Sequence, residues 1–290
     1  MRRFVVQLLL FGAMLVVSAE LFLQVSGLAS DVMDRELSTD QILVFQPGAS
    51  GYRTRGMRAE VHAPYQINAQ GWNSRIDYDQ VDSTTVAVVG DSYIAGFWNT
   101  VDSTVAACLQ YQINELAPNV EVHSYGHPGA NFHDYENLTT YLRNRGYQYI
   151  YIYLGPKDFN AKKPAFTNRK KADKRTGIRY WYRKSALLKY INVNLGLQEL
   201  LVAKTNRRAA GKKAIASGRA KALERLEAFP DQEVVFFYQD EFFDTLAAPN
   251  QLLKVVHTLQ PIDHGFNRHW NTNGNKNAAL TIFHHWQENR

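Results

Sequence analysis

Four short runs of apolar residues recur along the chain, and each is followed by a loop and then by a helix-like segment. The runs occupy residues 86–89, 120–125, 149–154 and 234–238, and the helix-like segments occupy 103–116, 134–145, 185–226 and 275–287. Runs of this length, bounded by turn residues, are typical of strands buried on both faces of a sheet. Because strands alternate with helices, we predict an α/β fold, a three-layer α/β/α flavodoxin-like domain with a central parallel sheet.

The loops that follow the strands are where a ligand site is expected, because open α/β sheets bind ligands beyond the carboxyl ends of their strands. The loop after the first run reads Gly90-Asp91-Ser92, which places Ser92 where a nucleophile is useful. An ordinary helix-capping turn is the alternative interpretation. In the next two loops, Gly129 can present a backbone N–H to an oxyanion and Lys157 can donate to developing negative charge. A plain Pro-Gly turn and a solvated lysine are the alternatives there.

A polar loop precedes the last helix-like segment. It contains Asp263, Asn267 and His269. A loop histidine in this place can return to the nucleophile as a general base, oriented by a neighbouring carboxylate or amide. The alternative is a surface histidine, since the chain has nine histidines.

These four loops, in this order, resemble those of the SGNH/GDSL hydrolase superfamily, and more closely those of its membrane-anchored bacterial members. The resemblance spans about residues 60–285. It implies that Ser92 is the attacking serine, that the N–H groups of Ser92 and Gly129 form the oxyanion hole, and that His269 is the general base. It also implies a serine hydrolase acting on ester bonds through an acyl-serine, with no metal and no organic cofactor.

The sequence departs from the family pattern at two positions. The third block of the family reads Gly-x-Asn-Asp, and Lys157 stands where its asparagine completes the oxyanion hole. The last block places an aspartate two or three positions before the histidine, where this chain has Asn267 and Phe266. Asp263, six residues upstream of His269, can substitute if the loop folds back.

Three functions follow as hypotheses from this pattern. The first is a cell-envelope esterase that acts on ester substrates, with carbohydrate O-acyl groups as the expected class. The second is an O-acyltransferase that decorates an envelope polysaccharide. The third is a catalytically degenerate domain that binds an anionic glycan or a protein partner, and the departures at Lys157 and Asn267 keep it open.

The first 28 residues read as an export segment. Arg2 and Arg3 precede an apolar stretch from Phe4 to Val25, and about 20 apolar residues suffice to cross a bilayer. We predict a single-pass signal anchor (1–28) in the bacterial inner membrane, with the remainder facing the periplasm or cell exterior. The alternative is a signal peptide cleaved after Ala19, which would give a secreted protein. An irregular lead-in (29–80) and the hydrolase-like domain (81–290) follow.

Charge is distributed unevenly along the chain. The net charge is +6, yet residues 157–225 hold 20 Lys/Arg and 4 Asp/Glu, a local charge of +16. We predict a basic helical insertion here that binds an anionic envelope polymer or headgroup; a solvated helical face is the alternative. The residues expected to bind the anion are Lys170, Lys171, Lys174 and Arg175.

The remaining partner predictions follow from composition and the export segment. The single cysteine, Cys108, excludes an intrachain disulfide and a multi-cysteine zinc site. The histidines lack a usual metal-ligand spacing, so no metal site is expected. Expected partners are an ester-bearing glycan or lipid substrate and the membrane, and an exported protein is not expected to bind nucleic acid.

Overall fold

The structure, a computed structural model, describes residues 1–167, 181–182, 184–195, 212–244, 246, 251–264 and 269–290, with only the backbone given for 212–218. We number its helices α1 (Arg2–Ser26), α2 (Ser92–Ala95), α3 (Val105–Asn114), α4 (Phe132–Asn144), α5 (Ala186–Lys189), α6 (Lys212–Glu227) and α7 (Thr272–Asn289). The strands are β1 (Arg35–Leu37), β2 (Leu43–Phe45), β3 (Ser50–Arg55), β4 (Val61–Gln66), β5 (Val86–Gly90), β6 (Val122–Gly126), β7 (Tyr149–Leu154), β8 (Val235–Tyr238) and β9 (Leu252–Lys254).

Five strands form one parallel sheet in the order β6-β5-β7-β8-β9. Counted along the chain this is the order 2-1-3-4-5, which is the flavodoxin-like arrangement. The predicted fold class is therefore confirmed. The sequence analysis missed β9, which is only three residues long and is partly exposed, so it carries no continuous apolar signal.

Helices cover both faces of this sheet. Ala87 and Val89 of β5 pack into one hydrophobic core with α4, whereas Val86 and Val88 pack into a second core with α3 and α7. Alternate residues of a strand point to opposite faces, so an all-apolar strand requires an apolar layer on each side. The three predicted layers follow from this pattern.

Residues 29–80, predicted to be an irregular lead-in, instead contain two antiparallel strand pairs, β1–β2 and β3–β4. In β4, Val61, Ala63 and Tyr65 are buried and alternate with more exposed residues, a period-2 pattern hidden by the proline between them. Tyr78 is fully buried in the main core, and its hydroxyl donates to the Ser124 carbonyl of β6 at 3.1 Å. The lead-in is therefore packed into the domain.

The basic insertion is only partly described. Instead of one helix over 185–226, the structure has α5, a π-helical turn over Tyr190–Asn194, and α6. Residues 196–211 lie outside the described part of the chain. So do the four residues predicted to bind an anion, Lys170, Lys171, Lys174 and Arg175.

The N-terminal segment forms the single helix α1 of 25 residues, which is long and apolar enough to cross a membrane. Leu23 is its one buried residue. A helix inside a soluble core buries a stripe along its length, whereas most apolar side chains of α1 are exposed.

Candidate active site

Ser92 lies where the parallel sheet ends, as the first residue of α2 directly after β5. The Asp91 side chain caps this helix by accepting a hydrogen bond from the Tyr93 N–H at 2.9 Å. Helix α2 packs directly on the end of β6, since a Cβ built on Gly126 would lie 2.0 Å from the Ala95 nitrogen. Only glycine permits this approach, and it holds Ser92 against the sheet edge.

His269 faces Ser92 from the segment before α7. Its Nε2 lies 2.8 Å from the Ser92 Oγ, within hydrogen-bond distance. The imidazole stacks on the Tyr93 ring, with centroids 5.1 Å apart. The next residue, Trp270, is buried, and its carbonyl accepts a hydrogen bond from the Asn99 side chain at 2.8 Å. Packing on both sides therefore positions the imidazole on the serine.

Asp263 lies close to the segment that carries His269. It forms an antiparallel bridge with Trp270, the neighbour of His269. The Asn271 side chain donates to the Asp263 carbonyl at 3.0 Å. Asp263 and His269 consequently line one cavity. Asn267 lies outside the described residues.

A cavity of about 960 Å³ opens in front of Ser92. It lies beyond the carboxyl ends of β5, β7 and β8, where ligands bind in sheets of this kind. Its charged lining residues comprise two cations and five acidic side chains, Arg55, Lys157, Asp91, Asp158, Asp240, Glu241 and Asp263. Even when Asp91 and Asp158 are counted as protonated, three acidic side chains face two cations, so the lining stays net negative and disfavours an anionic group inside the cavity.

The two residues predicted to help form the oxyanion hole occupy different environments. Lys157 is exposed and lines the cavity directly after β7. Gly129 lies on the loop between β6 and α4, where its φ of 86° requires glycine. Gly129 lies at the same edge of the sheet as Ser92, but it is not among the residues that line the cavity. Its role in the oxyanion hole stays a prediction.

Two buried carboxyl groups lie beside the serine. Burial raises the pKa of Asp91 to about 6. Burial, and then the charge of Asp91, raises the pKa of Asp158 well above its usual range. Asp158 accepts hydrogen bonds from the Gly155 N–H at 2.8 Å and the Tyr135 hydroxyl at 3.1 Å. These bonds fix the loop that carries Lys157.

The sequence analysis missed several residues of the cavity. Arg55, at the end of β3, lies with its guanidinium over the Trp98 ring, 5.3 Å from the centroid. Trp98 in turn packs near the His269 ring, with centroids 6.1 Å apart. No sequence signal pointed to Arg55, because it belongs to the lead-in. Asp240 follows the fourth apolar run, so the rule that ligands bind beyond strand ends could have found it.

Across the described ranges, no group of three or more His, Cys, Asp or Glu side chains is arranged to hold a metal ion. Cys108, on α3, is buried in the core.

Comparison with known proteins gives structural matches only, and no protein-family model or curated protein matches this chain. The chain is similar to a crystal structure of TesA, with 12% identity and a TM-score of 0.40, covering 69% of this chain and 96% of that one. It is similar to the psychrotrophic esterase EstA from Pseudoalteromonas sp., with 9% identity and a TM-score of 0.37 over 71% and 100% of the two chains. It is also similar to a carbohydrate acetylesterase family member from Sinorhizobium meliloti, with 12% identity and a TM-score of 0.35 over 70% and 97%.

Proposed function

We propose that this protein is a serine esterase of the SGNH/GDSL type. The observation that carries the proposal is the 2.8 Å approach of the His269 Nε2 to the Ser92 Oγ at the edge of a 960 Å³ cavity. A hydroxyl in hydrogen-bond contact with an imidazole is the arrangement that activates serine as a nucleophile. Its location at the carboxyl end of the sheet agrees with the resemblance drawn from the sequence.

In the proposed reaction, the Ser92 Oγ attacks the ester carbonyl carbon while the His269 Nε2 takes the hydroxyl proton. The carbonyl oxygen becomes an oxyanion that the Ser92 and Gly129 N–H groups and the Lys157 ammonium stabilise. The tetrahedral intermediate collapses, the C–O bond to the alcohol breaks, and the proton on His269 passes to the leaving alkoxide. An acyl-serine remains. A second hydroxyl, from water or a sugar, attacks its carbonyl carbon while His269 takes the proton; the acyl C–Oγ bond then breaks and the proton passes from His269 to Ser92.

Asp263 is proposed to orient the imidazole. Two observations support this role, the backbone bridge of Asp263 to Trp270 and the presence of both Asp263 and His269 in the lining of the cavity. A carboxylate in this position holds the correct tautomer and stabilises the imidazolium that forms. Asn267 is the other residue that the sequence offers for orienting His269.

The cavity supports a neutral acyl ester as substrate. Its acidic lining would repel a carboxylate or phosphate close to the reacting carbonyl. Its volume lies within the range of small-molecule pockets and has room for a sugar ring together with its acyl group. An O-acylated carbohydrate of the cell envelope is the proposed substrate class.

Helix α1 is proposed to anchor the domain in the bacterial inner membrane, with the catalytic domain on the outer side. Its apolar surface and the two arginines before it support this orientation. The basic residues 170–175 are proposed to attract an anionic envelope polymer towards the domain.

The proposal can be tested with a fluorophosphonate probe. The full chain is labelled in mild detergent, and the labelled residue is identified by peptide mass spectrometry. We expect one adduct on Ser92 that disappears in Ser92→Ala and persists in the control Ser83→Ala, which alters an exposed serine in the loop before β5. No adduct on the folded chain, where a known esterase labels fully, would favour a degenerate binding domain. Transfer of an acyl group to an added oligosaccharide, rather than to water, would identify the O-acyltransferase.

A further inference from the structure

A short segment near the end of α1 presents large apolar side chains to solvent. Trp181, Leu188 and Leu195 are 68%, 43% and 40% exposed. Ser185, the extended N-cap of α5, and the π-helical turn separate them, so they are grouped by their exposure and not by a helical period. Lys184, between the first two, is also exposed. We call the described residues of 181–195 the shelf.

The shelf packs on the last turns of α1. Glu20 of α1 accepts three hydrogen bonds from the start of α5, from the Ser185 hydroxyl (2.8 Å) and the N–H groups of Ala186 (2.7 Å) and Leu187 (2.9 Å). Leu23 is buried against Ala186 in a small cluster beside these bonds. The carboxylate thus caps α5 and ties the shelf to the apolar helix.

The height of this contact along α1 sets the position of the shelf relative to a bilayer. The apolar stretch from Phe4 to Val25 is about 33 Å long in a helix, close to the roughly 30 Å of a hydrocarbon core. Glu20 lies five residues, about 8 Å, before the end of that stretch. If the stretch spans the bilayer, the shelf meets α1 about 8 Å inside the end of the stretch, at the outer edge of the acyl chains just beneath the headgroups.

We infer that the shelf is a second membrane contact, lying at the boundary between the headgroups and the acyl chains of the bilayer that α1 crosses. Its composition fits this occupant, because tryptophan and lysine concentrate at membrane interfaces and apolar side chains enter the boundary of the acyl chains. Lys184 and Lys189 add attraction to anionic lipids. The inference rests on the proposed membrane anchor.

The shelf also touches the wall of the catalytic cavity, which deepens the proposed function. Its Tyr190 hydroxyl donates to the Met57 carbonyl at 2.9 Å, and its Asn194 side chain donates to the Gly56 carbonyl at 3.3 Å. Arg55, which precedes Gly56 at the end of β3, lines the cavity. The Met57 side chain at this turn is 65% exposed. The cavity therefore opens close to the bilayer surface and takes an ester that is presented there.

Fluorescence depth measurement on the full chain in anionic lipid nanodiscs tests this arrangement. Single cysteines replace Leu188 or Met57 in a Cys108→Ser background and carry an environment-sensitive nitrobenzoxadiazole label. The control is Tyr111→Cys on α3, a position that is 71% exposed. We expect lipids with a quencher near the headgroup to reduce emission from positions 188 and 57 at least twofold more than from position 111.

A label at Leu10→Cys, in the middle of α1, separates failure of the inference from failure of the anchor. Quenching at position 10 by acyl-chain quenchers, together with water-like emission at 188 and 57, would overturn the shelf contact and leave the anchor standing. Water-like emission at position 10 would overturn the anchor and the shelf contact together. Fluorophosphonate labelling of Ser92 in the same nanodiscs reports on the proposed esterase independently.

A charge substitution provides a second test that does not depend on a label in the shelf. Leu188→Glu places a carboxylate on an exposed position, so it preserves the fold while opposing contact with anionic lipid. We expect it to reduce the quenching of the Met57→Cys label at least twofold, and we expect Tyr111→Glu to leave that quenching unchanged. Equal quenching in both variants would contradict the inference.

Discussion

The Ser92 Oγ and the His269 Nε2 lie 2.8 Å apart although 177 positions separate the two residues. Ser92 follows the second strand from the edge of the parallel sheet, and His269 precedes the last helix on the layer beside it. The contact exists because α7 packs against α3, on the face of the sheet from which Ser92 emerges.

Replacement of His269 should remove activation of the serine. We expect His269→Ala to lower the rate of p-nitrophenyl acetate hydrolysis about 10³-fold or more, because no base remains to take the proton. The measurement is the steady-state rate of the full chain in detergent. The control is His284→Ala on exposed α7 surface, and an equal loss in both variants would contradict the assignment.

Replacement of Asp263 tests which side chain orients the base. We expect Asp263→Asn to lower kcat about 10²- to 10⁴-fold, and to move the acidic limb of the pH–rate profile to lower pH because the imidazolium loses a stabilising carboxylate. Circular dichroism checks that the bridge to Trp270 still holds the loop. If Asn267→Ala shows the loss instead and Asp263→Asn keeps full activity, the amide is the orienting group.

Lys157 stands where a fixed amide is expected from the family resemblance. We expect Lys157→Ala to lower kcat about 10-fold with little change in KM, because the donor acts on charge that develops only in the transition state. Lys157→Asn should have a higher kcat than Lys157→Ala, because a short amide is a better preorganised donor. Lys162→Ala, an exposed lysine of the same loop, is the control, and a drop there equal to that of Lys157→Ala would argue against an oxyanion role.

The buried pair Asp91 and Asp158 should make the protein less stable as pH rises. Both pKa values are raised in the folded chain, that of Asp91 to about 6. The folded state therefore binds more protons than the unfolded state above pH 4, and the free energy of unfolding falls as pH increases through 6. We expect Asp158→Asn to reduce the difference in unfolding free energy between pH 5 and pH 8, measured by denaturant titration in detergent.

Asp82 is the matched control for this pH dependence. Hydrogen bonds from Thr84 lower the pKa of its exposed carboxyl, so it is ionised in both folded and unfolded chains across pH 5 to 8. Asp82→Asn should consequently change stability by the same amount at both pH values. A change of slope in Asp82→Asn equal to that in Asp158→Asn would contradict the assignment of the effect to the buried pair.

The segment before the sheet shows where sequence reasoning stops. Four of the five strands of the parallel sheet are predicted by short apolar runs, at 86–89, 120–125, 149–154 and 234–238. Each of these strands is buried on both faces, so it can be recognised without its partner strand. Strands β3 and β4 each have a more exposed side, and turn residues and a proline interrupt their alternation. Arg55 therefore lines the cavity from a hairpin that the sequence pattern did not predict and that only the tertiary structure shows.

The sequence by itself determined the layered α/β class, the apolar first helix, and the loops that carry Ser92, Lys157 and His269. These features are local, because consecutive residues encode a buried strand and the turn after it. Only the tertiary structure decided that the His269 imidazole reaches the Ser92 hydroxyl and that the Asp263 backbone returns to Trp270. It also decided that Glu20 caps α5 and that the shelf touches the cavity wall. Those contacts join residues far apart in the chain, and packing of the layers, rather than any periodicity in the sequence, sets their distances.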